Sequence, residues 1–142
     1  MHMKGTPENM QIKPTYKDVV DEVYSFLYKS IEKAIDNGIN ENRIIVDPGF
    51  GFGKTLEHNI HLLKYLSEFQ SLRKPIMVGI SKKSIVGELT GKPIENRTLG
   101  SKILETVALL NGANIIRSHD INESKELVAI MSKILDNYDR VI

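Results

Sequence analysis

Asp47, Lys83, Arg117 and His119 are the residues of this chain best placed for chemistry, because each stands at or just past the end of a short apolar run. Asp47 closes Ile44-Ile45-Val46 and opens Pro48-Gly49-Phe50-Gly51-Phe52-Gly53-Lys54-Thr55, where glycines at 49, 51 and 53 let backbone approach a ligand closely. A carboxylate in that place can accept two parallel N–H bonds from an amidine-like ring edge, such as that of a pterin or guanine. The plainer role for Asp47 is a turn former before Pro48, but a lone acid between an apolar strand and a glycine loop more often binds something. Phe52, in the same loop, is either a core plug or a wall against an aromatic ligand.

Two further runs end in the same way. Pro75-Ile76-Met77-Val78-Gly79-Ile80 leads into Ser81-Lys82-Lys83-Ser84, and Asn114-Ile115-Ile116 leads into Arg117-Ser118-His119-Asp120. Lys83 and Arg117 thus bring cations to the ends of neighbouring strands, and Ser81 and Ser84 add hydroxyls where a short helix is predicted to begin. Fixed cations and helix N-terminal N–H groups both favour a phosphate or carboxylate. His119 lies on the same side of an extended strand as Arg117, which points to a phosphate donor rather than a structural histidine. Asp120 reads as the start of the next turn or cap. Lys54 is open between a solvated lysine at a helix start and a ligand contact. Gly53-Lys54-Thr55 ends as a P-loop ends, but that motif needs glycine where this chain has Pro48, so a nucleoside triphosphate site is not expected. The spacings offer no protein-only metal cluster and no nucleophile–base pair.

The elements that must position these residues alternate. Apolar runs without polar alternation, Ile44 to Val46 above all, predict parallel strands covered on both faces. Between them, Tyr16, Val19, Val20, Val23, Leu27, Ile31, Ala34 and Ile35 share one face of a helix that Asn37-Gly38 stops. Thr55 is the expected cap of a second helix carrying Ile60, Leu63, Leu66 and Phe69. Ser84 to Leu89 predicts one or two short turns, broken by Thr90-Gly91-Lys92-Pro93. A third long helix carries Leu99, Ile103, Val107, Ala108 and Leu110. Asn122 is the expected cap of the last, whose face is Leu127, Val128, Met131, Ile134 and Leu135. Strand and helix alternate at intervals of roughly thirty to forty residues, the size of a βα unit. With polar residues at one end of every strand, this is the catalytic face of a (β/α) barrel or the crevice of an open α/β sheet.

At 142 residues with 41% hydrophobic and 26% charged, the chain has the size and composition of one globular domain or less. A formal charge of +1 without long runs of either sign argues against nucleic-acid or anionic-membrane partners and for small-molecule chemistry. The absence of cysteine excludes disulfides and thiolate metal sites. No apolar segment reaches spanning length and Met1-His2-Met3-Lys4-Gly5 lacks a signal-peptide core, so a cytoplasmic location is expected. Met1 to Pro7 reads as a strand end and its loop with no strand body before it, so upstream sequence is expected to be missing.

Taken in order, Met1-His2-Met3-Lys4-Gly5-Thr6-Pro7, Asp47-Pro48-Gly49-Phe50-Gly51-Phe52-Gly53-Lys54, Gly79-Ile80-Ser81-Lys82-Lys83-Ser84 and Arg117-Ser118-His119-Asp120 resemble the motifs of dihydropteroate synthases. The resemblance runs over nearly the whole chain and implies the C-terminal half of a TIM (β/α)8 barrel, residues 1–142 spanning the end of the fifth strand to the last helix. It implies a folate-pathway transferase that joins p-aminobenzoate to 6-hydroxymethyl-7,8-dihydropterin diphosphate, giving 7,8-dihydropteroate and pyrophosphate, with Mg²⁺ assisting and the parent enzyme a homodimer through its late helices. By motif position, Asp47 would bind the pterin edge, with Gly51 and Gly79 letting the backbone close on it. Lys83, Phe52 and Ser84 would form the p-aminobenzoate pocket, with Lys83 also on the pterin. Arg117 and His119 would hold pyrophosphate, Ser81 would add its hydroxyl at the same strand end, and Met1 or Met3 would pack on the ring. Lys82 stands where the family has arginine, which removes a planar fork. The family's metal-binding asparagine and its earlier pterin-binding residues have no counterpart in this sequence, so the isolated chain is expected to be inactive. Read differently, the chain is a half-barrel assembly module completed by a separate N-terminal half. A methyltransferase of another pterin fits less well, having no need of a pyrophosphate-holding pair.

Overall fold

The computed structural model describes residues 1–6, 8, 10, 12 and 14–138; Pro7 of the opening motif lies outside the described residues. Four short segments lie side by side in chain order. His2 N donates to Asp47 O at 3.0 Å, Met77 N to Val46 O at 2.7 Å and Arg117 N to Val78 O at 2.9 Å. Val46 bridges Ile76, and strand β1 (Met77–Val78) pairs in parallel with β2 (Ile115–Ile116) in the register Met77↔Ile115 and Val78↔Ile116. Neighbours in sequence are therefore neighbours in space, as in successive βα units.

Helix α1 (Val19–Asp36) follows the first segment, and Asp18 caps it by accepting from the amides of Val20 and Asp21. Helix α2 (Leu56–Lys64) starts from a capping box between Thr55 and His58 and passes into a tighter turn over Leu66–Leu72. A short α3 (Ser84–Thr90) follows β1, and α4 (Thr98–Leu110) leads to β2. Last comes α5 (Ile121–Tyr138). Val23, Leu27, Leu62, Leu66, Phe69, Val78, Ile80, Ile85 and Val86 form the centre of the core between helices and sheet. No helix among the described residues is long and apolar enough to cross a membrane.

Several expected faces differ. Ile44 to Val46 is not covered on both sides: Val46 is buried, Ile45 is 48% exposed, and the strand reduces to a single bridge. Among the described residues the sheet has two paired strands and the Val46–Ile76 bridge beside them, too few to close a barrel. In α4 the apolar stripe points outward, with Leu99, Ile103 and Leu110 exposed while Ser101 and Glu105 are fully buried beside Ala108 and Leu109. Ile35, Ile60, Val128 and Ile134 are also exposed. Tyr16 precedes α1 rather than joining it, and its hydroxyl donates to Gly53 O at 2.8 Å. The last helix begins one residue before Asn122, and Asp120 O accepts from Ser124 N in its first turn.

Candidate active site

The three strand ends deliver Asp47, Ser81 and Arg117 to one side of the sheet, and their loops interlock there. Asp47 is buried, and its Oδ1 accepts from Gly49 N at 2.7 Å, which starts the glycine loop. Gly49 has φ +73°, and a Cβ there would stand 1.8 Å from His2 O, so no other residue fits this crossing. The next turn is pinned from α2: Asn59 is buried, and its Oδ1 accepts from Gly51 N at 2.8 Å.

Lys83 crosses from the β1 loop to the glycine loop. Its Nζ donates to Phe50 O and lies 4.3 Å from the centroid of the Phe52 ring. Burial lowers its pKa to about 8, with Arg117 adding to the effect and Asp47 opposing it. Lys83 is therefore close enough to Asp47 and to Arg117 to feel the charge of each. Arg117 itself is exposed and lies against Gly79, where a Cβ would come within 2.7 Å of Nη2. The glycine at 79 makes room for this arginine, and Gly51 does the same for Lys83, whose Cδ would be 3.3 Å from a Cβ there.

Ser81 is buried at the end of the β1 segment. Its Oγ accepts from His119 N at 3.2 Å and lies 3.2 Å from His119 Nδ1, so it holds the exposed imidazole at the mouth. Lys82 takes up a left-handed φ of +57° and pairs with Asp120 at 2.6 Å, which ties the two anion-favouring loops together. Asp120 also accepts from Thr98 Oγ1, and its pKa is lowered, chiefly by the bond from Lys82. Arg97 braces the same loop from the start of α4, its Nη1 donating to Lys82 O at 3.0 Å, while Lys82 N donates to Ser101 Oγ at 3.0 Å. Ser84 is exposed at the start of α3, beside a cavity of about 560 Å³ lined by Lys54, Thr55, Leu56, Ser84 and Glu88 among others.

The structure thus brings Asp47, Gly51, Phe52, Gly79, Ser81, Lys83, Arg117 and His119 into one continuous surface. Met1, 54% exposed, and half-buried Met3 flank His2 on the adjoining segment. Lys54 is not a solvated lysine, although its residue also borders the cavity beside Ser84. It is buried, donating to His2 Nδ1, Gly49 O and Phe52 O at 2.9, 2.9 and 3.1 Å. No spacing rule announces this lysine, the Arg97 brace or the Lys82–Asp120 pair, because each partner is remote in sequence. Among the described residues no group of three or more His, Cys, Asp or Glu could hold a metal ion.

Comparison with known proteins agrees with this arrangement. The chain is 38% identical over 130 residues to the dihydropteroate synthase of Haemophilus influenzae, covering 92% of this chain and 47% of the relative. It is 40% identical over 135 residues to that of Escherichia coli K12, covering 95% and 48%. A crystal structure of the Yersinia pestis dihydropteroate synthase with a sulfonamide drug complex superposes with TM-score 0.93 at 41% identity, covering 96% of this chain and 50% of that one. The chain spans about half the length of the relatives it matches. Its parallel strands and helices are part of the TIM barrel of those enzymes. Residues 1–119 match the family described as pterin binding enzyme, and with the motif order and the site geometry above, the chain belongs to that family.

Proposed function

We propose that this chain carries the pyrophosphate-holding and p-aminobenzoate-facing part of a dihydropteroate synthase, a transferase of folate biosynthesis. In the reaction the amine nitrogen of p-aminobenzoate forms a bond to the methylene carbon of 6-hydroxymethyl-7,8-dihydropterin diphosphate. The carbon–oxygen bond to the diphosphate breaks, pyrophosphate leaves with the bonding pair, and the amine loses a proton. The observation that carries this reading is the convergence of Lys83, Arg117 and His119 near the buried carboxylate of Asp47.

Departure of pyrophosphate, a polyanion, needs fixed positive charge at the place where charge develops. Arg117 is always charged and its planar fork suits paired phosphate oxygens. His119, held by Ser81, adds a donor beside it. Asp47 receives the N–H edge of the pterin, while Phe52 and Lys83 form the wall against which the rings stack. Met1 and Met3 complete the pterin contact from the neighbouring segment. Mg²⁺ belongs to the parent reaction, but the residues described make no cluster to hold it, so no step is assigned to it here. The outward stripe of Leu99, Ile103 and Leu110 on α4 supports a homodimer through the late helices. Cysteine-free composition supports the cytoplasm as its compartment.

Titration of the purified chain with inorganic pyrophosphate and with 6-hydroxymethylpterin, followed by NMR, tests the reading. Pyrophosphate should shift the signals of Arg117 and His119, and the pterin those of Asp47 and Phe52. If both ligands leave these residues unmoved, the proposal is wrong. Turnover by the chain alone is expected to be absent.

A further inference from the structure

Two lysines grip the glycine loop. Lys83 reaches it from the open side, with Nζ on Phe50 O and 4.3 Å from the Phe52 ring centroid. Lys54 reaches it from inside, 4% exposed, with Nζ on Gly49 O and Phe52 O and on His2 Nδ1 of the adjoining segment. These grips differ in what a ligand can do to them. Lys83 spends one N–H bond on Phe50 O and keeps others for a substrate, whereas all three N–H bonds of Lys54 are taken up within the protein.

We infer that Lys54 is a positioning residue, a buried bracket that keeps the Gly49–Phe52 loop and the His2 segment in place while Lys83 offers its remaining N–H bonds to substrate. The inference rests on the reading of Lys83 as a substrate contact given above. Its support is the match between donors and acceptors. An ammonium has three N–H bonds and Lys54 has three acceptors, two carbonyls of the glycine loop and the His2 ring nitrogen of the adjoining segment. His2 must be neutral to accept, and burial first, then the charges of Lys54, Lys4 and the chain's amino group, hold its pKa near 4.

The bracket also survives loss of the proton. Burial lowers the Lys54 pKa to about 7, with Asp47 opposing the effect and Lys83 adding to it. A neutral amine still donates to both carbonyls and can accept from His2 once the imidazole carries its proton on Nδ1. His58 also feels Lys54, and its pKa is lowered, burial being the largest cause.

Hydrogen exchange and NMR on the 142-residue chain test the bracket. Lys54→Met keeps the apolar stem and removes all three bonds. It is expected to speed amide exchange at Gly49, Gly51 and Phe52 by about tenfold or more, while Ala108 and Leu109 in α4 keep their rates. Unchanged exchange at the loop in a folded variant overturns the inference. In the unmodified chain, addition of 6-hydroxymethylpterin should move the Lys83 Nζ signal and leave those of Lys54 Nζ and the His2 ring in place. Movement of Lys54 with Lys83 unmoved overturns it with no variant needed. If the unmodified chain takes up no pterin yet Lys54→Met loosens the loop, the substrate reading fails while the bracket stands.

Discussion

Gly79 shows how a residue without a side chain can carry specificity. Its open face is filled by the Arg117 guanidinium, and a methyl group there would stand 2.7 Å from Nη2. The obstructed atom is the end of an exposed, flexible side chain, so Gly79→Ala should leave unfolding nearly unchanged while swinging the arginine out of place. Loss of one bidentate contact to an anion corresponds to a weakening of pyrophosphate binding of about tenfold or more. Equal pyrophosphate affinity in the two proteins, measured by calorimetry, would show that Arg117 does not hold it. His2 supplies a prediction in pH. Its folded pKa of about 4 lies below the ordinary 6.5, so its contribution to stability is complete above 6.5 and is lost as pH falls through 4. The loss is at most about 3 kcal/mol. Urea unfolding at pH 7 and pH 4 should show a steeper acid loss in the unmodified chain than in His2→Asn. Parallel pH dependence in both would remove His2 as the cause.

At the level of elements, the existence of helices and strands was legible, and the faces they present were only partly so. Asp18 and Thr55 act as caps because their short oxygens reach backbone amides two or three residues on, a purely local relation. The core face of α1 also followed from spacing alone. Helix α4 did not follow, since its apolar stripe turns outward and its inner face buries Glu105 and Ser101. Glu105 Oε2 pairs with Lys102 at 2.8 Å, and Lys102 also donates to Ser118 and Ser124, while Glu105 Oε1 has no hydrogen-bond partner among the described residues. A buried pair left partly unsatisfied is a poor source of stability. Lys102→Met together with Glu105→Ala is expected to be neutral or stabilising by about 1–3 kcal/mol, and Glu105→Ala alone to cost about 3 kcal/mol by stranding Lys102. Guanidinium unfolding of the three proteins decides this, and a double variant weaker than the single one would contradict it.

Across the whole molecule, Leu99, Ile103 and Leu110 form one exposed line on α4, with spacings of four and seven residues. Such a stripe associates in water, so sedimentation equilibrium should show mass rising with concentration. Ile103→Glu should shift the chain towards the monomer, and an unchanged distribution would place the association elsewhere. The strand-end placement of the proposed site residues was readable from the chain, because their kinds of side chain recur at the ends of apolar runs and parallel strands direct those ends to one side. Asp47, Lys83, Arg117 and His119 are that reading. Their mutual geometry was not readable. That Lys54 reaches His2, that Lys82 spans to Asp120 and that Arg117 rests on Gly79 are contacts between residues 38 to 52 positions apart. Sequence periodicity carries only the spacing within one element, whereas contacts of that range are set by how separate elements pack.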